Sequence, residues 1–169
     1  MTRTDTLPAS RALAFLRMVT GLGLLFGAYG KFMILRVAGA VPFPVVALHW
    51  QLELPARLAN WLVEHPTGML ATIVRDLLLP HGPLAAALIA WAQVIAGVLL
   101  LLGLRTRFAS ILTAFVAISL ALAAGYRDSQ NSRPYLMLMA LAFAFFVGAA
   151  GQTFGLDGWR HERRRNREL

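Results

Sequence analysis

The chain has 169 residues, 58% of them hydrophobic and only 14% charged, a balance too apolar for a soluble domain of this size. Its net charge of +8 invites a nucleic-acid reading, but the basic residues form no patch and sit at the ends of long apolar runs, where anionic lipid headgroups attract them. There is no cysteine, which excludes a disulfide, a thiol nucleophile and a thiolate metal ligand.

Four apolar runs, at 12–30, 83–104, 108–125 and 135–154, each come near the ~20 residues that cross about 30 Å of hydrocarbon as a helix. A soluble helix would carry a polar stripe every ~3.6 residues, whereas Leu84–Leu104 has only Gln93 as a strongly polar break. The expected fold is an all-α integral membrane protein, a four-helix transmembrane bundle. One membrane domain spans 1–159, and a basic tail occupies 160–169.

The first run reads as an uncleaved helix. It is long for the apolar core of a secretory signal, Arg17 interrupts it, and no small-x-small cleavage site follows. Arg17 lies roughly 7–9 Å from the start of that helix at about 1.5 Å per residue. A guanidinium there is costly in lipid and calls for a partner. Asp157, just past the fourth run on the same side, is the candidate for a polar pair that ties the first helix to the fourth. Gly23 and Gly27 form a GxxxG spacing, as do Gly151 and Gly155, and both read as seams where helix backbones approach closely, within the bundle or between protomers. Tyr29, Gly30 and Lys31 mark the outer end of the first helix.

Residues 31–82 are too many for a bare loop in a compact bundle. Pro42, Pro44, Pro55, Pro66 and Pro80 punctuate them, and two short amphipathic helices are expected between the breaks. Trp50, Leu54, Leu58, Trp61 and Leu62 form the apolar stripe of the first, with Glu53, Arg57, Asn60 and Glu64 opposite. Met69, Leu70, Ile73, Val74, Leu77 and Leu78 form the stripe of the second, with Thr67 as its N-cap. Tryptophans on such helices suit a collar at the membrane interface, or a docking surface for a partner.

Gln93 falls near the middle of the second run, with Trp91 close by. In lipid its amide needs either a neighbouring helix or a bound polar ligand. Lys31 either snorkels to the interface or meets Asp128, beyond the third run, at the edge of a polar pocket. Tyr29, Lys31, Trp91 and Gln93 are therefore the candidate ligand-binding residues.

Orientation follows from arginine placement. Arg3 and Arg11, then Arg105 and Arg107, then Arg160, Arg163, Arg164, Arg165 and Arg167 fall on one side, which the positive-inside rule assigns to the cytoplasm. Arg127 and Arg133 run against the bias on the other side. The expected topology is N-in, C-in in the inner (cytoplasmic) membrane. His49, His65, His81 and His161 all lie outside the runs, which disfavours a bilayer-embedded haem. No His, Glu or Asp spacing matches a metal site.

Three stretches resemble the DoxX/DoxD group of small four-helix membrane proteins. They are Arg17 with Gly27-Ala28-Tyr29-Gly30-Lys31-Phe32, the run Gly97-Val98-Leu99-Leu100-Leu101-Leu102-Gly103-Leu104-Arg105-Thr106-Arg107, and Gly148-Ala149-Ala150-Gly151 leading to Gly155-Leu156-Asp157-Gly158-Trp159. The long outer loop is similar to the DoxD branch, the small-subunit type of thiosulfate:quinone oxidoreductase. The family often carries a glutamate where this chain has Gln93, a change that keeps shape and hydrogen bonding but removes the charge. The resemblance implies a membrane subunit of a redox system that links a reduced sulfur compound to quinone. No cofactor is bound covalently, quinone is the small molecule implied, and another membrane or peripheral redox subunit is the partner, with a homo-oligomer as the alternative assembly. Two other functions stay open at this point, a non-catalytic assembly subunit of a larger membrane complex and a small-solute transporter.

Overall fold

The computed structural model describes residues 7–37, 41–65, 67–124 and 129–148. The chain is mostly helical. Helix α1 (Leu7–Tyr29) contains an apolar stretch at Arg11–Tyr29, and helices α4 (Gly82–Leu102) and α5 (Thr106–Ala124) are predominantly apolar over their whole length. These three are long and apolar enough to cross a membrane, since about 19–21 residues rise roughly 28–32 Å. The chain is a multi-pass membrane protein.

Helix α6 (Ser129–Val147) departs from the expected fourth run. It begins six residues earlier than Tyr135, and its apolar stretch among the described residues is Arg133–Val147. Residues 149–154 of the expected span lie outside the described residues. Pro134 sits inside the helix, where its ring removes the hydrogen bond to the carbonyl four residues back. That loss falls in the first two turns, where the ladder is least complete.

Between α4 and α5 the chain reverses within three residues. Gly103 takes a left-handed conformation (φ 62°) and Arg105 another (φ 45°). The Leu104 N–H bonds the Leu99 carbonyl at 3.0 Å, a Schellman-type closure that satisfies an otherwise open helix end. Helix α1 packs on α4, α4 on α5, and α5 on α6. The closest α1–α4 backbone approach is at Gly21 and Gly97, and of the expected Gly23–Gly27 pair only Gly27 abuts α4. A Cβ on Gly21 would lie 2.9 Å from the Gly97 carbonyl oxygen, and one on Gly97 would lie 2.8 Å from Leu25. Gly23 faces open space. Alanines fill much of the interior, Ala86, Ala90, Ala96 and Ala109 among them, so the backbones lie close together.

The outer segment differs most from expectation. Two antiparallel strands, β1 (Phe32–Val37) and β2 (Val41–Val46), stand where prolines were read as breaks. Their partner sums put Ile34 opposite Pro44 and Arg36 opposite Pro42. Ala47 donates its N–H to the Lys31 carbonyl at 2.9 Å, which fixes the odd-numbered residues as the hydrogen-bonded pairs. Both prolines therefore occupy non-bonded positions, where a missing N–H costs the ladder nothing.

Helix α2 (Leu48–Glu64) follows and matches the first expected stripe, with Trp50, Leu54, Leu58 and Trp61 buried. It lies across α4 and α5. Gly82 at the start of α4 lets the Pro55 ring pack directly on the backbone. The second expected helix is present over the expected residues, with a change of winding. It is a five-residue α-helix, α3 (Met69–Ile73), continued by a π-type turn at Val74–Leu78. Its buried residues are Ala71 and Val74, while Met69 and Leu77 are exposed. The N-cap is Gly68 (φ 115°) instead of Thr67, because only glycine takes that backbone angle without strain.

Candidate functional site

Lys31 is held by its backbone from two directions. Its N–H bonds the Ala28 carbonyl at the end of α1 (2.8 Å), and its carbonyl accepts from Ala47 at the base of the hairpin (2.9 Å). The side chain turns inward and is 9% exposed. Its Nζ donates to Gln93 Oε1 at 2.5 Å and lies 4.3 Å from the centroid of the Trp50 ring. A cation over an indole face is attracted by the ring quadrupole.

Gln93 is buried in α4 and fixed at both ends of its amide. Its Oε1 accepts from Lys31, and its Nε2 donates to the Leu24 carbonyl of α1 at 3.1 Å. Trp50 is anchored in turn by its Nε1, which donates to the Ala86 carbonyl of α4 at 3.1 Å. On the next turns of α2, Arg57 donates to Glu53 Oε1 through Nη2 (2.6 Å) and Nε (3.2 Å). Burial first, and then the Arg57 guanidinium, pull the Lys31 ammonium down from 10.5 to about 8, with the Glu53 carboxylate opposing.

These side chains head a cavity of about 620 Å³. Lys31, Trp50, Arg57 and Gln93 form its polar end. Gly23 and Leu24 of α1, Leu120 of α5, and Tyr135, Leu138 and Leu141 of α6 form its apolar walls. The cavity reaches from Lys31 to Val19 and is bordered by α1 on one side and α6 on another. A second, almost wholly apolar cavity of about 360 Å³ lies behind Tyr135, with the stacked Trp61–His65 pair (5.0 Å) in its wall.

Of the four candidate ligand-binding residues, the structure brings Lys31 and Gln93 together. Tyr29 is 83% exposed and does not line the cavity. Trp91 is 40% exposed and meets Phe32 edge to face at 5.1 Å. Two residues along a helix is a turn of about 200°, which points Trp91 away from the face that carries Gln93. Arg17 is fully buried on α1. Its expected partner Asp157, and the Asp128 expected near Lys31, lie outside the described residues. Trp50, Arg57 and Tyr135 line the cavity without having been singled out. The available signal was the Glu53/Arg57 spacing of four one turn beyond Trp50, which sets a charged pair beside an aromatic ring.

The arrangement defines a class, a helical membrane protein with one buried amine at the head of an apolar interior slot. The family described as "TQO small subunit DoxD" matches residues 55–167, and the chain belongs to that family. The match takes in Arg57, Gln93 and Tyr135, while Lys31 and Trp50 precede it. No curated protein and no solved structure matches the chain.

Proposed function

We propose that the protein is the quinone-binding membrane subunit of a redox complex, and that its cavity holds the quinone head beside Lys31. The observation that carries this reading is the Lys31–Gln93 hydrogen bond at the polar end of an apolar-walled cavity of about 620 Å³. A quinone has two carbonyl acceptors on an apolar ring with an apolar tail, and such a ligand needs a greasy slot with few donors. The residues present fit that description. An ammonium has three N–H groups, so Lys31 has donors left after bonding Gln93. Gln93 has an oxygen and one N–H already committed to the protein, and its part is to hold Lys31 in place. Trp50 and Tyr135 would flank the ring, and Gly23, Leu138 and Leu141 would border the tail. When bound, the quinone supplies carriage of electrons and protons within the lipid.

The family name supports a sulfur-side donor and a second subunit. This chain has no cysteine, so in this reading the oxidation of thiosulfate or another reduced sulfur compound belongs to that partner. In the same reading α1, α4, α5 and α6 form a four-helix transmembrane bundle in the cytoplasmic membrane, with both termini inside. The arginines at 105 and 107 in the tight α4–α5 turn support that orientation.

Purification from native membranes in mild detergent, followed by identification of bound quinone and co-purifying chains, tests the proposal. Expected are a stoichiometric redox partner and thiosulfate-dependent quinone reduction that Lys31→Met and Gln93→Leu abolish without unfolding the protein. Unchanged kinetics in both variants would reduce the pair to a packing role.

A further inference from the structure

The charge at the head of the cavity exceeds what a neutral quinone needs. Two cations, Lys31 and Arg57, line it, and among the described residues no carboxylate does. The partners that hold Lys31, the Gln93 amide oxygen and the Trp50 ring, are both neutral. Glu53, the nearest described acid, has its Oε1 engaged twice by Arg57. Lys31 is buried among neutral partners, while Arg57 stands half exposed beside it and paired with Glu53, and an anion next to the ammonium offsets the cost of burying it. Arg57 keeps unused N–H groups on its guanidinium, and that planar fork suits a phosphate.

Shape narrows the choice of anion. From Lys31 back to Val19 the slot follows α1 for twelve residues, roughly 18 Å at 1.5 Å per residue. Its other wall is α6 through Tyr135, Leu138 and Leu141. A small hydrated anion would leave that apolar length unfilled. We propose that the cavity also binds an anionic phospholipid, with its phosphate between Lys31 and Arg57 and an acyl chain along the α1–α6 slot. This inference stands independently of the quinone reading. Where both hold, the lipid competes with the quinone head for the same amine.

The test uses the full chain purified in a neutral detergent, with dioleoyl phosphatidylglycerol, dioleoyl phosphatidylcholine and inorganic phosphate as probes. Adducts are counted by native mass spectrometry, and affinity is followed by tryptophan fluorescence. Expected are one tightly held phosphatidylglycerol per chain and at least tenfold weaker binding of the zwitterionic lipid. Lys31→Met should lower phosphatidylglycerol affinity at least tenfold, Lys31→Arg should preserve it, and Arg57→Gln should weaken it severalfold. Arg57 is half exposed on α2, so that variant keeps the test usable if Lys31→Met fails to fold.

Phosphatidylglycerol affinity should also fall as pH rises from 7 to 9 and the Lys31 ammonium loses its proton. The other groups that face it are Arg57 and Glu53 from α2, Gln93 from α4 and Tyr135 from α6, with only apolar residues described from α5. Equal binding of the two lipids, or undiminished binding by both Lys31→Met and Arg57→Gln, would overturn the proposal. Inorganic phosphate binding as tightly as the lipid would overturn it too, because the apolar slot would then contribute nothing. A wild-type chain that binds quinone but no phosphatidylglycerol would sink this inference and leave the earlier one in place.

Discussion

Gly27 and Gln93 meet where a side chain on either helix would normally intervene. A Cβ on Gly27 would lie 2.8 Å from Gln93 Nε2, closer than side-chain carbons approach a neighbour. The missing methyl lets the amide reach the Leu24 carbonyl and, from there, hold Lys31. A glycine that looked like half of a helix seam serves the polar site.

Gly27→Ala should therefore act on the site before it acts on the fold. The methyl pushes the Gln93 amide off the Leu24 carbonyl and loosens Lys31, and overpacking of this kind costs about 1–3 kcal/mol. Ligand affinity should fall about tenfold in a fluorescence titration. Gly30→Ala meets nothing within 4 Å and serves as the control, with affinity unchanged.

Gly97→Ala should do the opposite, damaging stability more than the site. Its Cβ would press on Leu25 and lie 3.0 Å from the Gly21 carbonyl oxygen, a backbone atom that cannot step aside. A loss of about 1–3 kcal/mol is expected, read as a lowered midpoint of thermal unfolding in detergent. An unchanged midpoint would mean the α1–α4 seam is looser than it looks.

The charge state of Lys31 predicts a pH dependence of known sign. The folded protein holds this lysine near 8 and the unfolded chain near 10.5, so between those values the unfolded state binds more protons. Stability then rises with pH across that window, and the penalty for burying the ammonium is fully present below pH 8. Thermal midpoints between pH 7.5 and about 10 should climb in the wild type and lose that climb in Lys31→Met. A fall in the wild type would refute the assignment.

Trp50 offers a separation of two contributions. Trp50→Phe keeps a ring beside Lys31 but loses the bond to the Ala86 carbonyl, at a cost of about 1 kcal/mol. Trp50→Leu also removes the face over the ammonium, a further ~0.5–2 kcal/mol. Unfolding midpoints should fall in that order, and equal losses would mean the ring face contributes nothing.

The membrane-crossing helices were legible because run length and lack of charge are read directly against the thickness of a bilayer. Lys31 and Gln93 drew notice for a related reason, since a polar group among apolar ones has to find a partner. Their pairing across 62 residues is a matter of tertiary distance, which no local pattern encodes. The direction of a side chain was harder to read. Trp91 drew attention by being near Gln93 in sequence, yet helical rotation turns it outward. The stripe that carries Trp50 reveals a buried face and suits a collar packed on the bundle, but it does not say which helix covers it, and here the cover is α4. The hairpin was hidden because Pro42 and Pro44 stop a strand only when their nitrogens face the partner, and spacing alone does not give that phase.

That phase has one more effect. The even-numbered nitrogens of β2 point away from β1, and two of the three within the strand belong to Pro42 and Pro44. The outer rim of β2 thus offers almost no donors to a passing chain. The hairpin is a poor template on that side for a wider sheet, whether offered by another copy in a crowded membrane or by an extended peptide in search of an edge. A chain that meets that rim of β2 must supply the donors itself, to the carbonyls left there.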